Sequence, residues 1–429
     1  MSSEQPIRIA IIGGGLGGAA LARALVMNPN FDIHVYEADA TFSTRGTSIG
    51  LASNAQRALA QIDPEDRDLL KRGGAVAQES ARIAMGAGPQ AGTVVSDLNT
   101  NSPEKGQLAR VSLHRGSLLR ELIAKLPEER LHTGKKLVSL RELPDAKAVE
   151  LVFEDGESTT FDAVVGADGI WSVVRVHVLG GAVGYCEPAN AGWWDCRNLV
   201  PLEKAREVLG DELCQVDRVK CWAGPGAFIL HAVIENGTLF MCLASVLEQD
   251  PPTDAKKRPL TRQMLTDAFA SWMDGPIAKG IMELIMDQPA PQLQRYGMYE
   301  HRSTQTYTKG PICIMGDAAH AATPWKAAGG GQAFEDAMIL GAVLGRVRTV
   351  DQVPMAFKIY DEIRRPRAQE IVDSSRRFGT ILCGQDPTVG LDVDKMQAEL
   401  SARMGLIEDL DLVKYKEKAV ELAMAAFDP

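Results

Sequence analysis

The chain has 429 residues, 45% of them apolar and 24% charged, a globular composition with length for two or three domains, which excludes a disordered, collagen-like or small disulfide-scaffold protein. With 46 Lys plus Arg against 56 Asp plus Glu, the formal charge of −10 argues against nucleic acid or an anionic membrane as main partner and leaves room for a local basic pocket. The seven cysteines (Cys186, Cys196, Cys214, Cys221, Cys242, Cys313, Cys383) are odd in number, scattered and without a Cys-x-x-Cys pair. No disulfide framework or metal site is expected from them, and a reducing cytoplasm fits best. No apolar run is long enough to span a bilayer.

Ile7 to Ile12 is a short apolar run ending at Gly13, Leu16 to Met27 carries apolar residues at helical spacing, and Asp32 to Glu37 reads as a second strand. The turn between strand and helix supplies Gly13-x-Gly15-x-x-Gly18, with Glu37 at the end of the second strand. Gly13 permits the tight turn, Gly15 lets a pyrophosphate approach the backbone, and Gly18 lets helix and strand pack closely. The helix N-terminus then faces the phosphates, and Glu37 is placed to accept hydrogen bonds from an adenosine ribose with a free 2′-hydroxyl.

Arg45 to Gly50 reads as a loop before a helical Asn54 to Ile62, and Gly73 to Gly106 reads as strands and loops outside the nucleotide layer. Ser117 to Leu126 is an amphipathic helix entered through His114-Arg115. Val149 to Phe153, then Asp155-Gly156, then Thr159 to Val165 has the alternation of a hairpin and runs into Gly166-Ala167-Asp168-Gly169. From Gly181 to about Pro291 tryptophans and phenylalanines gather among apolar strands. Ile312 to Met315 restores a buried strand before Gly316-Asp317, and Gly329-Gly330-Gly331 opens a helix over Gln332 to Val347. Helices follow from Pro354 to Phe427.

Three glycine-acid segments, far apart in the chain, exceed what a single NAD fold requires. The stretch Asp162 to Arg175 (DAVVGADGIWSVVR) resembles the Asp-Gly motif of flavoprotein hydroxylases, and Gly316-Asp317 with Pro324 and Gly329 to Gly331 resembles their Gly-Asp motif. With the dinucleotide turn, in order and spacing, the whole chain resembles the single-component FAD-dependent aromatic hydroxylases of the salicylate and p-hydroxybenzoate hydroxylase group.

The resemblance implies an α/β fold: a Rossmann-like two-layer FAD-binding domain (1–75, 106–180 and 292–350), an inserted β-sheet substrate domain (76–105 and 181–291), and C-terminal helices (351–429). It implies that Glu37 binds the adenosine ribose, that Gly50 and Arg115 contact FAD, that Asp317 holds the ribityl chain, and that Gly329 and Gly330 lie by the flavin. Asp168 and Arg175 are linked in the family to both FAD and the nicotinamide donor, although Arg175 capping and packing its own turn is an equal reading. With no second Gly-x-Gly-x-x-Gly turn, NADH or NADPH would bind without a Rossmann domain of its own. The implied chemistry is reduction of the flavin, addition of O2 at C4a, and transfer of the distal hydroperoxide oxygen to an activated ring. Electron-rich phenolates attack such an oxygen faster than phenols.

For the substrate, Arg197 in Arg197-Asn198-Leu199-Val200-Pro201 resembles the family's Arg-Gly-Leu-Val-Pro segment and could pair a carboxylate or phenolate; the alternative is a surface salt bridge. His231 lies in a stretch resembling the family's Gly-Pro-Gly to His-Tyr-Pro segment and could take a phenolic proton; the alternative is a histidine satisfied within the sheet. Ala232-Val233 replaces the usual Tyr-Pro, Trp325-Lys326-Ala327-Ala328 stands where many relatives have His-Gln-Gly-Ala, and Ser48 replaces a glycine near the flavin. These departures alter at least two pocket walls. The reading is an FAD-dependent monooxygenase using NAD(P)H and O2 on a small, anionic phenolic or heteroaromatic compound, with decarboxylative hydroxylation as one version and a homodimer as one assembly. Two rivals share the flavin motifs: a dehydrogenase or oxidase without oxygen insertion, and a flavin-binding protein without enzymatic activity.

Overall fold

The computed structural model describes residues 5–42, 48–99, 109–143, 147–181, 184–248 and 256–427. Ile7–Ile12 is buried almost throughout and forms the centre of a six-stranded sheet. It pairs in parallel with Phe31–Tyr36 on one side and Ala163–Gly166 on the other. Ile312–Ile314 extends the parallel ladder, Thr308–Lys309 closes that edge antiparallel, and Leu131–His132 closes the other. Strands buried on both faces read as continuous apolar runs, which is why Ile7 to Ile12 and Ile312 to Ile314 lack alternation. The helix Leu16–Leu25 makes the first crossover and packs against the helix Gly329–Leu344, so the two glycine-rich segments meet although they are remote in sequence.

The run from Thr159 to Val165 is not one strand. Ser158–Phe161 completes an antiparallel hairpin with Ala148–Phe153, turning at Gly156 (φ +86°), and the chain then breaks at Asp162, whose carboxylate accepts the Arg8 amide at 2.7 Å. Ala163–Gly166 enters the central sheet instead. Two further sequence boundaries move. Ser48–Leu51, expected as loop, is a strand paired with Arg110–His114, which also takes up Val76–Gln78; Arg45, Gly46 and Thr47 of that expected loop lie outside the described residues. Gln294–Glu300, assigned by sequence to the cofactor domain, pairs with Ala189–Pro201 in the second large sheet.

That second sheet has eight strands, ordered Lys257–Pro259, Gln294–Glu300, Ala189–Pro201, Leu239–Leu247, Ala227–Ile234, Arg218–Gly224, Ser80–Met85 and Val94–Asn99. Alternation gives it two faces. One face carries Trp194, Trp222, Ile229, Val233 and Phe240 into a core with Trp272 and the helices Leu202–Leu209 and Ala278–Met286. The other carries Trp193, Phe228 and Ile83 toward Trp325, Phe378 and the C-terminal helices Val353–Leu382 and Val393–Glu408. A third C-terminal helix, Leu412–Phe427, packs on Gly329–Leu344. Among the described residues no helix is long and apolar enough to cross a membrane, and no cluster of His, Cys, Asp and Glu is placed to hold a metal ion.

Candidate active site

A cleft of 480 Å³ runs along the C-terminal ends of the central strands, where open α/β sheets bind their ligands. Of the ten cofactor residues expected from sequence, eight line it: Gly13, Gly15, Glu37, Arg115, Asp168, Asp317, Gly329 and Gly330. Gly18 and Gly50 do not. Gly18 lies beneath the cleft, where a Cβ would stand 2.0 Å from the Gly13 carbonyl oxygen, so it holds helix against strand. Gly50 faces Ala327 at 3.9 Å, and its neighbour Ile49 takes the lining position.

The cleft fits a flavin dinucleotide. Gly15 caps Leu16–Leu25 without a side-chain hydrogen bond, leaving first-turn N–H groups open, and a Cβ there would meet nothing nearer than Arg115 Nη2 at 3.6 Å. Gly329–Leu344 is likewise uncapped by a side chain, and a Cβ on Gly329 would meet only Asp317 Oδ1, at 3.8 Å. Two helix N-termini thus present backbone donors to one cavity, suited to a pyrophosphate at the first and an electron-accepting ring edge at the second. Arg115 opens the helix Arg115–Ile123, where a cation opposes the helix dipole; a bound pyrophosphate offsets that opposition. Glu37 accepts the amides of Gly14 and Asp39, both at 2.9 Å, which holds its carboxylate at the cleft rim. Asp317 lies just past a buried strand and faces the open cleft, within the influence of His320 and Arg115. Lys135 and Lys136, which carry no recognisable motif, join the Glu37 end.

Asp168 accepts the amides of Val173 and Val174 at 2.8 and 3.2 Å and the hydroxyl of Ser172, which caps the following short helix. Burial raises its pKa despite these donors and Ser172. Arg175 is 1% exposed and donates to the carbonyls of Ala318, Ala319 and Tyr185 and to Thr304 Oγ1. Its donors are spent on tying the Asp-Gly turn to the Gly-Asp turn, in keeping with the packing alternative.

Beyond Ala327 lies a second cavity of 370 Å³, between the inner face of the eight-stranded sheet and the C-terminal helices. Its walls include Phe228, Leu230, Leu243, Trp325, Phe378 and Met404, with Ser245, two cations, Arg110 and Lys326, and two acids, Asp97 and Glu408. Arg110 lies 3.7 Å from Glu408, and its Nε is buried without a hydrogen-bond partner. Lys326 is 3% exposed, donates to Ser374 Oγ at 3.1 Å and to the Arg403 carbonyl, and is pulled down to about 8 by burial and by Arg403 and Arg367. Sequence reasoning flagged Lys326 only as a departure and missed Arg110, which follows a stretch without periodicity.

The two substrate candidates read from sequence are not at this cavity. His231 sits on the same strand as Phe228 and Leu230 but with opposite parity, so strand alternation sends it to the outer face. There it is 1% exposed, accepts the Trp222 indole N–H at 3.1 Å and stacks on Phe240 at 5.2 Å, and burial pulls its pKa down to about 3. Arg197 opens on a separate outer cleft, its guanidinium 5.0 Å from the centre of the Tyr296 ring.

Comparison with known proteins agrees with this geometry. An NAD(P)-binding Rossmann-like domain model matches residues 11–60 and an FAD binding domain model matches residues 277–375; both contribute to the one dinucleotide cleft. The chain is 32% identical over 435 residues to the 6-methylsalicylate 1-monooxygenase of Aspergillus terreus, covering 98% of this chain and 93% of that protein. It is 28% identical over 438 residues to a salicylate hydroxylase of Pseudomonas putida, covering 96% and 94%. A solved salicylate hydroxylase substrate complex superposes with a TM-score of 0.83 at 26% identity, covering 97% of this chain and 99% of that one. The chain belongs to the FAD-dependent monooxygenases of the salicylate hydroxylase type.

Proposed function

We propose that the protein uses NAD(P)H and O2 to hydroxylate a small anionic aromatic compound of the hydroxybenzoate kind, held in the cavity beyond Ala327. The observation that carries this reading is Arg110: its Nε is buried without a hydrogen-bond partner at a cavity walled mainly by apolar side chains, and among the described residues its guanidinium is held there only by a 3.7 Å ion pair with Glu408. A buried donor without a partner is costly, and a carboxylate or phenolate entering the cavity satisfies it. The volume of 370 Å³ is at the small end of ligand cavities and suits one or two rings. FAD, when bound, takes electrons from the nicotinamide donor and activates dioxygen. The chain's own part is to orient the ring with Arg110 and the apolar walls and to keep water from the reacting edge. On this reading the six-stranded sheet and its helices form the cofactor domain, and the eight-stranded sheet forms the substrate domain.

The experiment is a screen of hydroxybenzoates and hydroxylated N-heterocycles for accelerated NAD(P)H consumption, repeated with Arg110→Gln. Acceleration is expected with acidic phenols and not with their methyl esters. In Arg110→Gln the affinity for the accelerating compound should fall by about 2–4 kcal/mol while FAD content is unchanged. Equal response to acids and esters would remove the anionic-substrate reading.

His231 is given a structural role. His231→Ala leaves the Trp222 N–H without an acceptor and should cost about 1–3 kcal/mol of stability, with product formed per NAD(P)H consumed unchanged in folded, FAD-loaded protein. Reduced coupling there would return the histidine to the chemistry.

A further inference from the structure

If FAD fills the single Rossmann-like cleft, a nicotinamide donor needs a different site. A cleft of 920 Å³ adjoins it, bounded by Gly15 and Arg115 on the cofactor side and by Arg197, Lys257 and Tyr296 on the edge of the eight-stranded sheet. Arg197 and Lys257 both lie over the Tyr296 ring, at 5.0 and 5.9 Å from its centre, so one aromatic side chain holds two cations together. Among the described residues neither forms a salt bridge. The Arg197 backbone is fixed by Gln288, whose amide donates to its carbonyl at 3.2 Å. The nearest acid along the strand, Asp195, is itself buried, and its pKa is raised by that burial. Glu37 and Asp39 also border the cleft, on its cofactor side and away from the two cations on the sheet edge, and Glu37 there accepts the Gly14 and Asp39 amides.

Two clustered cations that form no salt bridge call for an anionic ligand at their end of the cleft, and the cleft has more than twice the volume of the aromatic cavity. The FAD pyrophosphate on its floor, at Gly15, would repel a second polyanion unless the facing wall supplied positive charge, which Arg197 and Lys257 do. We propose that this cleft binds the pyrophosphate of the nicotinamide donor, with Arg197 and Lys257 as its phosphate-binding cations. The proposal rests on the reading that the protein uses NAD(P)H. It places Arg197 on the donor rather than on the aromatic substrate. The Gly15 and Arg115 wall shared with the FAD cleft sets the donor beside the cofactor.

The test uses FAD-loaded wild type, Arg197→Gln, Lys257→Gln and the charge-preserving Arg197→Lys. Anaerobic flavin reduction is followed against NADH and NADPH concentration, and direct binding is measured with ADP-ribose. Each lost cation should weaken nucleotide half-saturation and ADP-ribose binding by roughly tenfold, more at low salt than at high salt. Arg197→Lys should recover part of the loss, and FAD content and affinity for the accelerating aromatic should stay at wild-type values. Lys257 is exposed, so its variant remains informative if Arg197→Gln fails to fold. Unchanged nucleotide dependence in Lys257→Gln and Arg197→Gln overturns the site. Loss of aromatic affinity in Arg197→Gln, with donor affinity intact, overturns it in favour of a substrate role. A wild type whose flavin neither nucleotide reduces overturns the NAD(P)H reading itself.

Discussion

Gly15→Val is expected to give a folded, colourless protein. Gly15 has an ordinary φ of −71°, and a Cβ there meets nothing nearer than 3.6 Å, so valine fits the protein without its cofactor. The same branched side chain occupies the approach of the pyrophosphate to the helix N-terminus. Losing one or two charge-assisted hydrogen bonds, at about 1.5–3 kcal/mol each, weakens FAD by about one to four orders of magnitude. The other glycines of the turn cannot separate fold from cofactor in this way. A Cβ on Gly13 stands 2.2 Å from the Ala167 carbonyl at a φ of +105°, and one on Gly18 stands 2.0 Å from the Gly13 carbonyl, so valine at either position disrupts the fold itself. The check is flavin absorbance per folded chain, with circular dichroism and melting temperature compared against stripped wild type. Full flavin occupancy in Gly15→Val contradicts the placement of the pyrophosphate.

Arg364→Leu carries the largest expected loss of stability. The guanidinium is fully buried between Glu335 and Asp336, donating to them at 2.8 and 2.7 Å, and Glu335 also holds Arg367 and Asn54. Both acids lie on Gly329–Leu344, the helix whose start faces the cofactor, and Asp336 also accepts the Gly316 amide at 2.8 Å. Burial alone would raise Asp336, but His320 and Arg364 beside it hold it well below the usual carboxylate range. Leucine leaves two buried carboxylates short of a cation, at a cost of about 3–5 kcal/mol, a large part of the 5–15 kcal/mol typical of a folded domain. The sign with pH follows from a folded pKa lying below the unfolded one. The wild-type contribution is present above about pH 4 and is lost as pH falls further. In Arg364→Leu the guanidinium no longer offsets burial, so both carboxyls rise relative to wild type and take up protons at a higher pH; the deficit should therefore be greatest near neutral pH and narrow toward pH 4. Chemical denaturation at pH 7 and pH 4.5 measures it; a deficit that is equal at both contradicts the ion-pair account.

What the sequence made legible depended on how local each feature is. The dinucleotide turn is readable because Gly13, Gly15 and Gly18 perform their tasks within six residues, and the Gly-Asp turn because Gly316-Asp317 comes within three residues of a buried strand. The joining of Leu16–Leu25 to Gly329–Leu344 is not local, and only the resemblance brought the two segments to one cofactor. Arg110, Lys326 and Met404 come from a strand, a turn and a C-terminal helix, so no spacing announces their cavity. His231 shows a different limit. Alternation along Ala227–Ile234 was readable and already set His231 against Phe228 and Leu230, but which face looks toward the cofactor is decided by the helices on the other side, Leu202–Leu209 and Ala278–Met286. Arg197 has the parity of Trp193, on the inward face, yet stands far enough along its strand to open on the outer cleft.

Insertion of oxygen into an aromatic compound bound at Arg110 is read out by turnover under isotopically heavy dioxygen. Purified holoenzyme, NADH or NADPH, and the acidic phenol that most accelerates its oxidation are incubated under 18O2, and the product is identified by mass. One heavy oxygen atom is expected in the product for each nicotinamide oxidised in the coupled fraction, with loss of that product in Arg110→Gln at substrate concentrations that saturate wild type. Product without heavy oxygen, or heavy hydrogen peroxide as the sole fate of the label with every accelerating compound, would contradict insertion and leave an oxidase.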